Sequence, residues 1–185
     1  TAVEAVAAAG ACPTVMIYWT LVETYGVDAF ARDLAAAGGA GLITPDLTPD
    51  EADAWMAASD AHGLDRIFLV APSSTDERLA STLEACRGWV YATSVMGVTG
   101  ARTSTSSAAP ALVKRVREVA PELPVGVGLG VSNGAQAAEI AQVADGVIVG
   151  SALVNHLLRN EADGSRDLTA LRTLVGDLAR GVRAN

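Results

Sequence analysis

About six times in 185 residues the chain passes from a short run of Val, Ile, Leu or aromatic residues to a stretch of helical periodicity rich in Ala. The runs lie at residues 13–18, 41–44, 66–70, 89–93, 124–128 and 146–149, and most are apolar throughout rather than alternating. Strands of that kind are covered on both faces, and parallel neighbours need a crossover helix between them. Helical patterns follow at residues 27–37, 48–62, 74–86 and 109–119, again after each of the last two runs, and finally at 168–180. Gly38-Gly39 stops the first of these, and Thr48-Pro49-Asp50-Glu51 reads as the N-terminal cap of the second. A regular βαβα order without a hairpin signal predicts an α/β fold, either an open doubly wound sheet or a closed barrel.

Length arbitrates between the two. A (β/α)8 TIM barrel uses about 250 residues for eight units, so about six units in 185 residues have a barrel's density and fall short by two. The reading is therefore a single (β/α) barrel domain over residues 1–185 that lacks the first two β-α units. Residues 1–10 read as the end of a helix with no strand before it, and a start at Thr1 rather than Met leads us to expect further residues upstream.

Charge and cysteine usage exclude several classes of function. The formal net charge is −8, and cationic residues are scattered apart from Lys114, Arg115 and Arg117 on one predicted helix. Nucleic acid is thus not the expected partner. A small anion remains open, because backbone N–H groups at helix N-termini bind phosphate without a cationic side chain. No apolar run is long enough for a bilayer and no signal peptide is evident, so the expected location is the cytoplasm, with no membrane contact. Cys12 and Cys86 lie in no metal-ligand spacing and are read as reduced thiols. His62 and His156 fall on predicted helices away from strand ends and are read as surface or helix-end residues. No metal constellation is visible.

Two glycine-bearing segments carry the clearest chemistry. Gly128-Leu129-Gly130-Val131-Ser132-Asn133-Gly134 leaves one strand and opens a helix, and Gly150-Ser151 does the same one strand later. Either alone is equally well a tight βα turn. Together they match the phosphate site that barrels build from the loops after their last two strands. A third segment, Gly97-Val98-Thr99-Gly100, sits in residues 94–107, whereas most βα loops run about two to six residues. That length and its glycines mark residues 94–107 as a candidate lid.

Four stretches now carry a resemblance. Pro45-Asp46-Leu47, Phe68-Leu69-Val70-Ala71-Pro72, the run from Tyr91 to Arg102 (YATSVMGVTGAR) and Val127-Gly128-Leu129-Gly130-Val131-Ser132 resemble the alpha subunit family of tryptophan synthase, in order and at matching spacings. The resemblance implies a lyase of tryptophan biosynthesis that cleaves indole-3-glycerol phosphate, a phosphate ester, to indole and glyceraldehyde 3-phosphate by a retro-aldol reaction. It places the phosphate against Gly100, Leu129, Gly130, Gly150 and Ser151, and the indole among Met16, Tyr18, Ile43, Leu69, Tyr91 and Leu129. Asp46 either orients the lid through Thr99 or caps a helix. The implied partner is the family's beta subunit, which holds pyridoxal phosphate; no cofactor is expected on this chain.

The sequence departs from the family pattern in two places. The family's catalytic Glu and the Asp of its Pro-Ser-Asp-Pro-type loop would precede Thr1, and no such motif occurs among the 185 residues. Tyr18-Trp19-Thr20-Leu21 stands where many members have Asn-Pro after the aromatic pair, which leaves the shape of that loop open. Three alternatives stand beside the lyase: a stand-alone indole-glycerol-phosphate lyase, a different phosphate-binding barrel isomerase, and a non-catalytic barrel fragment that keeps anion binding.

Overall fold

Seven short strands and nine α-helices alternate among the described residues of a computed structural model, which are 1–93, 108–128 and 130–184. They divide into two compact units. The first comprises Thr1–Val70, Ser74–Tyr91 and Arg117–Leu123, and the second Ala71–Ser73, Ala92–Val116 and Pro124–Asn185.

In the first unit β1 (Thr14–Met16), β2 (Gly41–Ile43) and β3 (Asp65–Ile67) pair in parallel. Thr14, Gly41 and Asp65 are aligned at one end and Met16, Ile43 and Ile67 at the other. The approach of β2 to β3 requires glycine at position 41, since a Cβ there would come within 2.7 Å of the Asp65 carbonyl oxygen. Helices α1 (Ala2–Ala8), α2 (Trp19–Tyr25), α3 (Val27–Ala36), α4 (Asp53–His62) and α5 (Asp76–Ala85) complete the unit. Its core joins Val22 of α2, Leu34 of α3 and Trp55 of α4 to Leu42, Leu64 and Phe68. Each such large side chain contributes roughly 1.5–3 kcal/mol when fully buried. α4 stops at Gly63, whose φ of 67° is left-handed and favours glycine.

Three local expectations are corrected. The predicted single strand at 66–70 is divided between β3 and β4 (Leu69–Val70), which belong to different sheets. Phe68 between them is 1% exposed, and its carbonyl accepts the Tyr91 N–H (3.0 Å) from β5 (Val90–Thr93). Core packing of that side chain thus sits where the ladder changes partner. Thr48 caps a single 3₁₀ turn, Pro49–Glu51, rather than α4, which begins after Ala52. The stretch from Trp19, read as loop, is helix α2.

The second unit pairs β6 (Val125–Gly128) with β7 (Gly146–Ile148) in parallel, Gly126 opposite Gly146 and Gly128 opposite Ile148. Helix α7 (Gly134–Ala141) connects them, and α8 (Ser151–Ala162) and α9 (Thr169–Val182) follow. Val125, Val127, Ala137, Ile140 and Leu178 are buried. Helix α6 (Ala108–Val119) contributes Leu112, Val113 and Val116 to the buried set.

A polar knot ties α4 to its neighbours in the first unit. The Asp60 carboxylate accepts from Arg66 (2.5 Å) and Arg87 (2.6 Å), while Arg66 Nε also donates to the Ala85 carbonyl (3.0 Å) and Arg87 to that of Ser59 (2.8 Å). Hydrogen bonding from Arg66, with the charges of both guanidiniums, holds the Asp60 carboxyl below its usual range. A depressed folded-state pKa stabilises the fold above the unfolded value of about 3.9, and that contribution is lost as pH falls through the lower folded value. Urea midpoints measured down to about pH 2 should therefore fall with acid, and Asp60→Asn should lower the neutral-pH midpoint and flatten this part of the acid limb.

Candidate functional site

The two glycine segments leave the second unit from strand ends held level by the β6–β7 register. Gly130 has φ +69°, a left-handed conformation that fits glycine there. The next residues are fixed by their own side chains. The Ser132 N–H donates to Gln136 Oε1 (2.8 Å), the Gln136 N–H to Asn133 Oδ1 (2.9 Å) and the Gly134 N–H to Asp177 Oδ2 (2.6 Å). The N-terminus of α7 is therefore occupied by a capping amide and a carboxylate.

Helix α8 begins differently. Gly150 is its N-cap residue and makes no side-chain cap, and the Ser151 and Ala152 N–H groups have no acceptor among the described residues. A Cβ built on Gly150 would meet no atom of the described residues within 4 Å. Unsatisfied N–H groups and the positive end of the helix dipole make such a terminus a receptor for an anion. The twelve-residue α8 has no fully buried residue. Gly100, Thr99 and Leu129, the other members expected from the sequence, lie outside the described residues, as does the candidate lid at 94–107.

Of the apolar residues expected to line a substrate slot, Met16, Tyr18, Ile43, Leu69 and Tyr91 lie in the first unit. Met16 and Ile43 are aligned partners at the ends of β1 and β2, one 53% exposed and the other 9%. Tyr18, next to the start of α2, is 67% exposed. Leu69 opens β4 and Tyr91 lies in β5, both half-buried, with the Tyr91 ring stacked on Trp89 at 6.1 Å. Burial pushes the Tyr91 phenol up, so it stays protonated at neutral pH and serves as a donor rather than a base.

Asp46 is placed by a contact the sequence does not show. Both of its carboxylate oxygens accept the Trp19 N–H (3.0 and 3.1 Å), so it caps α2 from 27 residues away. Tyr18, the local N-cap residue, supplies no side-chain acceptor. Asp46 also lines a cleft of about 210 Å³ together with Thr44, Thr48, Phe68, Leu69 and Arg78. His62 ends α4 and contacts Asp28 Oδ1 (2.9 Å), and His156 lies within α8. Among the described residues no group of three or more His, Cys, Asp or Glu side chains is placed to hold a metal, and no helix is long and apolar enough to cross a membrane. Asp177 is the residue that sequence reasoning missed; its partner, Gly134, is 43 residues away, and no local pattern marks the pair.

Residues 2–183 match the sequence model of the family described as tryptophan synthase alpha chain. The tryptophan synthase alpha chain of Mycobacterium avium is 66% identical over 182 residues, which are 98% of this chain and 65% of that relative. A solved structure of Mycobacterium tuberculosis tryptophan synthase superimposes with a TM-score of 0.90 at 66% identity, covering 98% of this chain and 66% of that one. The tryptophan synthase A-subunit of Pyrococcus furiosus superimposes with a TM-score of 0.81 at 27% identity, covering 96% and 70%. The chain thus spans about 65% of the length of the Mycobacterium avium relative. Its fold class is α/β, of the TIM-barrel type of these structures. Sequence match, structural superposition and the order of strands and glycine turns agree that the chain belongs to the tryptophan synthase alpha chain family.

Proposed function

We propose that this chain binds indole-3-glycerol phosphate as part of a lyase that releases indole and glyceraldehyde 3-phosphate. The observation that carries the reading is the asymmetry between two neighbouring helix starts: α7 is capped by Asn133 and Asp177, whereas the Ser151 and Ala152 N–H groups of α8 have no acceptor among the described residues. The phosphate is assigned to that end of α8 and to the Gly130 turn, with Leu129 and Gly100 as further backbone donors. Its negative charge is met by aligned N–H dipoles, which suits a protein of net charge −8.

The indole is assigned to Met16, Tyr18, Ile43, Leu69, Tyr91 and Leu129, which offer apolar surface to a flat heteroaromatic ring. Retro-aldol cleavage requires a proton delivered to indole C3 and another removed from the glycerol hydroxyl, work suited to two carboxylates in different environments. The family Glu and Asp have no counterpart among these 185 residues, so the chain's own share is binding and orientation. Asp46 supports the site by fixing α2, and through Thr99 it orients the lid.

The partner we assign is the family's pyridoxal-phosphate-bearing beta subunit, which takes up the indole; the cofactor stays with that subunit. Tyr18, Leu21 and Tyr25 at and on α2 are 67%, 56% and 58% exposed and offer apolar surface for such a contact. We assign the assembly to the cytoplasm.

Binding and chemistry are tested separately. A Cβ at Gly150 meets no described atom within 4 Å, so Gly150→Val, shown to be folded by thermal unfolding, should weaken inorganic phosphate or glycerol phosphate binding by about tenfold or more, read by calorimetry. Unchanged affinity would show that the anion site lies elsewhere.

The 185-residue chain, assayed alone, should release negligible indole, and a version extended upstream by about two β-α units should regain activity. Each missing acid or base accounts for about 10²–10⁴-fold. Robust indole release from the chain as given would overturn this division and make Asp46 the first carboxylate to replace. Turnover of a phosphosugar without indole would favour the isomerase alternative. Phosphate binding with no turnover in the extended protein would favour the non-catalytic one.

A further inference from the structure

The anion-binding turn is held from behind by the last helix. Gly134, the first residue of α7, donates its N–H to Asp177 Oδ2 of α9 at 2.6 Å. The backbones meet almost without clearance: a Cβ on Gly134 would come within 2.5 Å of the Asp177 carbonyl oxygen, and one on Gly181 within 2.0 Å of the Gly134 carbonyl oxygen. Two glycines thus let α9 press directly on the start of α7, and a half-buried carboxylate locks the contact. Helix α9 also packs on α8, so one helix backs both segments assigned to the phosphate.

We infer that Asp177 is a positioning residue for the phosphate site, acting through the Gly134 N–H to hold the turn from Gly130 to Gly134 in its binding shape; this rests on the phosphate reading above. The bond has two consequences. It anchors the α7 end of the five residues that separate β6 from α7, the left-handed Gly130 among them. It also fills the positive end of α7 with a resident carboxylate, which leaves the uncapped α8 as the helix terminus for phosphate. Geometry and charge therefore act in opposite directions at Asp177: the hydrogen bond favours anion binding by ordering the turn, and the negative charge opposes it.

Two variants of the full chain separate these effects. Asp177→Ala removes both the acceptor and the charge. Asp177→Asn keeps an acceptor oxygen for the Gly134 N–H and removes the charge, together with the exposed 3.5 Å ion pair to Arg180. With inorganic phosphate as the probe in calorimetry, Asp177→Ala should bind about three- to tenfold more weakly than the parent, a cost of about 0.7–1.4 kcal/mol, and Asp177→Asn at least as tightly as the parent. Thermal unfolding of each variant establishes that the compared molecules are folded.

A purely structural role would lower the melting temperature of Asp177→Ala and leave the affinity of folded molecules unchanged, and that result overturns the inference. Affinity raised in both variants also overturns it, because charge would then be the only effect. If Asp177→Ala does not fold, Asp177→Ser takes its place, since it also removes the charge and its hydroxyl is too short to reach the Gly134 N–H: binding weaker than that of Asp177→Asn supports the inference, and binding equal to it overturns the inference. Failure of the parent chain to bind phosphate would overturn the phosphate reading first and this role with it, an outcome distinct from a binding parent whose affinity ignores Asp177.

Discussion

In-register parallel pairing is the constraint on which both units depend. A parallel ladder lets neighbouring strands end at the same level, so the segments that leave them emerge side by side even when they are distant in sequence. In the first unit this aligns Met16 with Ile43, and in the second it sets Gly128 opposite Ile148 just before the two glycine turns. The close approach has a steric condition. Gly41 meets it between β2 and β3, where any side chain would strike the Asp65 backbone. Helices then cover the ladders because parallel strands cannot be joined by a hairpin, and the apolar bursts of the sequence follow from that double coverage.

That same logic decides what could be read from the sequence. Strands covered on both faces must be apolar throughout, so the run at 41–44 announces β2 and the run at 124–128 announces β6. Helices α3 and α6 begin and end within a residue or two of their periodic patterns, since burial of one face imposes the period. Features set by partners far along the chain were not legible. Helix α2 lacks a local capping side chain and takes Asp46 from 27 residues on, so its seven residues look like loop. The division of the 66–70 run depends on where Phe68 packs and on a hydrogen bond from Tyr91. Within the candidate site the glycines were visible as a pattern, but the carboxylate that closes α7 comes from α9 and had no local signature.

Anion recognition by backbone rather than side chain reconciles the acidic composition with a phosphate ester. A cationic cluster would announce itself in the sequence, and its absence would argue against phosphate if side chains were the only donors. Under the proposed assignment the N–H groups that open α8 serve instead, and their value depends on the competing terminus being filled. Two helix starts from adjacent strands thus differ because Asn133 and Asp177 serve one and no described side chain serves the other.

The electrostatics of the described carboxyls bear on the chemistry. A general acid working near neutral pH needs a carboxyl whose pKa is raised toward 7, through burial or a like charge. Three described carboxyls move the other way: Asp60 is held down by Arg66, Asp33 by Arg32 and Tyr25, and Asp167 by the hydroxyl and N–H of Thr169. These groups are anions committed to structural contacts and poor donors to a carbon such as indole C3. The groups that burial raises, Tyr91 and Cys86 (the latter to about 11), remain neutral and are no bases at neutral pH. None of these groups is suited to the proton transfers, and the proposed lyase reaction calls for carboxylates in a different environment, as the family pattern places them.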